Sequence, residues 1–208
     1  MTRYTGKNSM KKIVLGSTSP FRKALMEKLQ ISFLTDAPDI DESRLENEQP
    51  TAMVRRLSVE KAKKVAENHP DALIIGSDQC AVINGEVTGK PGSHEKAVQQ
   101  LMRSSGNTVT FYTGLCLLDS NSGQHQLDCV PFYVTFRELT ETEINHYLHR
   151  DQPYNCAGSF KSEGLGITLF SKMQGDDPSA LRGLPLIRLC AMLRKQGISL
   201  PPDAAPPE

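Results

Sequence analysis

Lys12-Ile13-Val14-Leu15-Gly16-Ser17-Thr18-Ser19-Pro20-Phe21-Arg22-Lys23 passes from strand to turn to helix, and its reading decides the fold. The apolar run from Lys12 to Gly16 has the length of a short buried strand. Ser19 is a good N-cap, and Pro20 suits the first helical position, where a missing N–H leaves no bond unmade. Phe21, Ala24, Leu25, Met26 and Leu29 then recur near the 3.6-residue period, so a helix follows. The start of that helix offers unpaired N–H groups, small residues at Gly16, Ser17 and Ser19, and the charges of Arg22 and Lys23, which together suit an anion. The same residues are also ordinary capping chemistry, and this turn alone leaves both readings open.

A second apolar run, Leu73-Ile74-Ile75, enters Gly76-Ser77-Asp78-Gln79. The expectation is that the strand ends there and sets Asp78 at its carboxyl end, where open α/β sheets bind ligands. Asp78 then reads as a general base toward water, a ligand for Mg²⁺ on substrate phosphates, or a turn cap. An aspartate is a poor base at neutral pH unless burial or a metal-bound water assists it. Between the two segments, 51–68 reads as a helix in which Val54, Leu57, Lys61 and Val65 fall on one stripe. A lysine in an apolar stripe either snorkels to water or faces a buried anion.

Further along, Ala81-Val82-Ile83 and Glu86-Val87-Thr88 flank Asn84-Gly85, a hairpin signal, and Lys90 follows in Gly89-Lys90-Pro91. Residues 93–104 read as a helix; 108–118 and 126–137 read as long antiparallel strands around Asn121-Ser122-Gly123. In the second of these, Phe132, Val134 and Phe136 alternate with Tyr133, Thr135 and Arg137, as in a half-buried sheet. Helices over 140–149 and 185–196 complete an α/β alternation with no repeat and no internal linker, so one domain over 10–197 is expected. Residues 1–9 read as a tag or extension, and 198–208, with its Pro-rich end, as a flexible tail.

Lys plus Arg and Asp plus Glu number 24 each, so no global field favours a nucleic-acid polymer or an acidic membrane, and a nucleotide must be held by local charge. The 5 cysteines lack C-x-x-C spacing and read as reduced, mostly buried thiols of a cytoplasmic protein. No apolar run approaches the roughly 20 residues of a membrane span, and no signal peptide is visible. His146-x-x-His149 has no third zinc ligand suggested nearby.

Ser17-Thr18-Ser19-Pro20 with Arg22, Glu60-Lys61-Ala62, Gly76-Ser77-Asp78-Gln79, Gly89-Lys90-Pro91, Thr113-Gly114 and Ala157-Gly158-Ser159-Phe160-Lys161-Ser162-Glu163-Gly164 resemble, in order, the motifs of the Maf family of nucleotide pyrophosphatases. The resemblance implies a mixed central sheet with flanking helices, two lobes around a cleft, a fold related to the inosine triphosphate pyrophosphatases, and a homodimer. It implies hydrolysis of a nucleoside triphosphate between the α and β phosphates with a divalent cation, Mg²⁺ or Mn²⁺. Asp78 matches the family's catalytic position, and Ser17, Arg22, Lys61 and Lys90 its phosphate-binding positions. Glu42, of the pair Asp41-Glu42, matches a metal position, although a solvated acidic loop is the plainer reading of that pair.

Phe21 before Arg22, Gln79 after Asp78 and Glu163 are similar to the branch acting on 7-methyl-GTP. The chemistry is consistent with it. N7 methylation makes guanine cationic, which an aromatic face attracts, and a carboxylate accepts from guanine N1–H and the exocyclic amine together. Core packing for Phe21 and an exposed loop acid for Glu163 are the bland alternatives. A dTTP or UTP pyrophosphatase and a non-catalytic nucleotide sensor linked to septum formation are the competing functions.

Overall fold

The computed structural model describes residues 11–202. The expected extension at 1–9 and the end of the expected tail, 203–208, lie outside them. Of that tail, Ile198 is 8% exposed and packs with Leu189 and Leu193, and Leu200 leans on the same cluster. Core packing therefore continues beyond Gly197, because two more apolar side chains find a place under the last helix.

Seven strands form one sheet. β1 (Lys12–Gly16) lies parallel between β2 (Leu34–Asp36) and β3 (Ala72–Ile83). On its other side β3 pairs antiparallel with β5 (Thr108–Asp119), β5 with β6 (His125–Phe136), and β6 with β7 (Phe170–Gln174), while β4 (Glu86–Thr88) folds back on the far end of β3. The hairpin at Asn84-Gly85 forms as expected, both residues taking positive φ (51° and 82°). β7 carries a weaker signal: in its sequence Phe-Ser-Lys-Met-Gln every residue after Phe170 is exposed, so no alternation marks it.

The flanking helices are α1 (Pro20–Glu27), α2 (Pro50–Ala66), α3 (His94–Ser104), α4 (Glu141–Asp151) and α5 (Leu186–Lys195). Ser19 caps α1, its side chain accepting from the Arg22 N–H, and Thr140 with Glu143 forms a reciprocal capping box on α4. Strand alternation sorts the core. Ile13, Leu15, Leu73 and Ile75 face α1 and α5, while Val14 and Ile74 face Ala62 and Val65 of α2.

A second core builds the other lobe, where α3 and α4 cover the far ends of β3, β5 and β6. Its hub is Phe160, in edge-to-face contact with Phe111, Phe136 and Phe170 at 4.8–5.6 Å between ring centres. That hub anchors the segment carrying Glu163. β3, β5 and β6, of 12 residues each, run through both lobes. Among the described residues no helix is long and apolar enough to cross a membrane.

Candidate active site

β1 stops at Gly16, opposite Gly76, whereas β3 runs on to Ile83. Asp78 is therefore in mid-strand, correcting the expectation that the strand ends before it; its pairing with β5 at Gly114 continues the ladder. What ends near Asp78 is the parallel neighbour. The missing strand leaves a notch at the sheet edge, filled by a cleft of about 780 Å³. Adjacent residues of a strand point to opposite faces, and only this open edge lets both Asp78 and Gln79 line one cleft.

On one face, α2 lies hard against β3. A Cβ at Gly76 would stand 2.1 Å from the Ser58 carbonyl oxygen, so glycine is what permits the approach. Ser58 Oγ accepts from the Asp78 N–H at 3.0 Å and donates to Val54 O, fixing the strand to the helix. Lys61, one turn further along α2, is 4% exposed. Its Nζ donates to Asp78 Oδ1 at 2.7 Å and contacts Glu42 Oε1 at 2.8 Å. The lysine in the apolar stripe is itself buried and faces one buried carboxylate, Asp78, and one exposed one, Glu42, rather than snorkelling to water. Asp41 turns away, its Oδ1 accepting from the Ser43 N–H, so Glu42 alone of the acidic pair reaches the cleft. Burial pushes the Glu42 carboxyl up, but the Lys61 bond and charge, with Lys90 and Arg22 behind them, bring it below the ordinary carboxylate value.

Along the cleft wall, Ser17 Oγ accepts from the Ser19 N–H at 3.2 Å and from Arg22 Nη1 at 3.4 Å. Arg22 Nε donates to Gly183 O at 2.7 Å, which leaves Nη2 for a ligand. Burial lowers the Arg22 guanidinium pKa, against the opposite pull of Asp78 and Glu42, and the group stays cationic at neutral pH. Lys90 stands exposed on the rim, and Phe21 lines the cleft half-buried. Glu163 lines it from the other lobe, its Oε2 lying 3.8 Å from Arg182 Nε.

All nine residues expected at the site therefore line one cleft. Sequence reasoning missed Ser77 and the turn Ala180–Gly183. Ser77 Oγ lies 2.8 Å from Gly114 O and 2.9 Å from Gly183 O, and Gln79 Nε2 lies 2.8 Å from Ala180 O. The only local signal was Gly183 itself, whose φ of 91° demands glycine. Cysteine burial is less uniform than expected: Cys80 and Cys116 are buried, Cys129, Cys156 and Cys190 intermediate. Burial, with the Asp78 charge behind it, pushes the Cys80 thiol up to about 12, so this neighbour of the site is a protonated packing residue.

Chemically, the cleft offers cations for several phosphate oxygens, a buried carboxylate held through one oxygen by Lys61 on a backbone fixed by Ser58, and a second carboxylate beside it. Asp78 and Glu42 are hard oxygen donors suited to Mg²⁺ or Mn²⁺. No group of three or more His, Cys, Asp or Glu forms a metal cluster among the described residues, so such an ion would depend on the substrate for further ligands.

Fold and cleft define an α/β protein whose cleft sets several cationic side chains beside a buried carboxylate. The solved structure of the Staphylococcus aureus Ham1 protein has the same fold, with a TM-score of 0.51 at 13% identity, covering 89% of this chain and 100% of that one. Residues 12–196 match the model of the family described as Maf-like protein, and the chain belongs to that family. A relative from Colwellia psychrerythraea named 7-methyl-GTP pyrophosphatase is 54% identical over 191 residues, 92% of this chain and 96% of its own. One from Pseudomonas savastanoi pv. phaseolicola with the same name is 52% identical over 192 residues, 92% of this chain and 100% of its own.

Proposed function

We propose that this protein hydrolyses 7-methyl-GTP between its α and β phosphates, giving 7-methyl-GMP and pyrophosphate, and so clears a modified nucleotide from the pool. The observation that carries the reading is the Lys61 ammonium shared by Asp78 and Glu42 in a nucleotide-sized cleft. The names of relatives more than half identical to this chain support the substrate.

In this reading Ser17, Arg22, Lys61 and Lys90 hold the triphosphate. Asp78 orients a water toward the α-phosphorus and takes its proton through Oδ2, which has no protein partner among the described residues. Asp78 and Glu42 would hold a Mg²⁺ or Mn²⁺ jointly with the substrate, whose charge would offset that on the phosphates. Most of the rate is assigned to positioning and charge neutralisation. Phe21 stacks on the cationic ring, and Glu163 accepts from guanine N1–H and its amine. A cytoplasmic nucleotide pool and a homodimer belong to the same reading; the half-exposed run 126–131 of β6 offers a pairing surface.

The test is pyrophosphate release from a nucleotide panel, with and without a chelator. We expect the highest kcat/KM for 7-methyl-GTP, loss of turnover on chelation, and a shift of preference in the double variant Phe21→Arg, Glu163→Gln. Better turnover of dTTP or UTP would move the substrate, and no release from any nucleotide would leave the cleft as a sensor.

A further inference from the structure

Gln79 has no amide hydrogen free for a base. Its Nε2 lies 2.9 Å from Thr113 Oγ1, 2.8 Å from Ala180 O and 3.2 Å from Leu181 O, three acceptors for two hydrogens. Thr113 Oγ1 donates to Ala180 O as well, at 2.9 Å. At the other end of the turn, Ser77 Oγ and Arg22 Nε both reach Gly183 O. The Ala180–Gly183 turn is thus pinned to β3 and β5 by side chains, and it presents Arg182 to the cleft. Arg182 Nε is buried and has no hydrogen-bond partner among the described residues; the carboxylate it meets is Glu163, at 3.8 Å. A buried donor without an acceptor is a cost that a small closure onto Glu163 would relieve.

We infer that Arg182 is a specificity-determining positioning residue, which holds the Glu163 carboxylate for the base, and that Gln79 influences base choice at one remove, by fixing the turn that carries Arg182. The inference rests on the reading that Glu163 recognises guanine. An Arg beside a carboxylate orients it through directed N–H groups while leaving its other lone pairs free. With Glu163 so held, guanine N1–H and its amine meet a preset acceptor pair; without Arg182 the carboxylate must be ordered at the substrate's expense.

The test is a double-mutant cycle on steady-state kinetics with 7-methyl-GTP and metal. Arg182→Ala is expected to raise KM by about tenfold or more with kcat little changed, and Arg182→Lys to restore part of the loss. Gln79→Met is expected to raise KM similarly. The combination Gln79→Met, Arg182→Ala should be no worse than Arg182→Ala alone, because both act on one contact. Multiplying effects would overturn the coupling and place Gln79 on the base itself; an unchanged KM in Arg182→Ala would remove Arg182 from specificity. Glu163→Ala separates the levels: a raised KM there beside a normal Arg182→Ala defeats only this inference, whereas an unchanged KM in Glu163→Ala defeats the base-reading role beneath it.

Discussion

Lys61 carries a buried charge that two carboxylates share, and their inequality decides what each does. Asp78 is 7% exposed, its carboxylate held by Lys61 and its backbone N–H by Ser58, whereas the Glu42 side chain is 57% exposed and held by Lys61. Removing one partner of a buried pair usually costs about 3–5 kcal/mol, but here Glu42 remains to neutralise Lys61. Asp78→Asn is therefore expected to keep the fold and nucleotide binding while lowering kcat by on the order of 100- to 10,000-fold, as read from pyrophosphate release. Full activity in that variant would end the assignment. These two roles also differ in how far the sequence could reveal them. Lys61 and Asp78 each broke a pattern, a charge in an apolar stripe and an acid after an apolar strand, and such breaks are legible. Arg182 breaks none, since its partner Glu163 approaches only through the tertiary fold.

At the level of elements, the distance from α2 to β3 sets the distance from Lys61 to Asp78. Gly76→Ala would drive a Cβ into the Ser58 carbonyl, 2.1 Å away, and into the α2 backbone at Ala62 N, 2.9 Å away. Neither backbone group can yield as a flexible side chain would. We expect a loss of about 3 kcal/mol or more, and a kcat about 100-fold lower from a shift of even 1 Å between Lys61 and Asp78; thermal unfolding and kinetics check the two halves. A variant with native Tm and native kcat would mean that the helix–strand spacing is not the constraint. Most helices and strands were legible from periodicity and caps, as with Ser19-Pro20 and Asn84-Gly85. The extent of β3 was not, because Gly76-Ser77 looks locally like a stop, and only the pairing of Gly76 and Ser77 with Cys116 and Leu115 carries the strand through it.

For the whole molecule, the cleft joins two separately packed cores. Ser17, Phe21 and Arg22 come from the side of α1, and Glu163 from the segment anchored by Phe160. A ligand touching both ends ties the cores together, and its affinity adds to the stability of each. In the Asp78→Asn variant, 7-methyl-GTP at 100 times its Kd adds about 2.7 kcal/mol, a Tm rise of roughly 5–10 °C for a chain of this size, and GTP at the same concentration should add less. Equal shifts would show that the ring charge is not read.

The three strands common to both cores have a mechanical consequence. Among the described residues no linker separates the lobes; an unbroken ladder from β3 through β5 to β6 crosses between them. Such a ladder offers no hinge about which one lobe could swing, so closure is expected as a twist of the shared strands. Gripping a nucleotide would then strain the same strands that build both cores, so the fit of the cleft is set by the sheet and not by a joint.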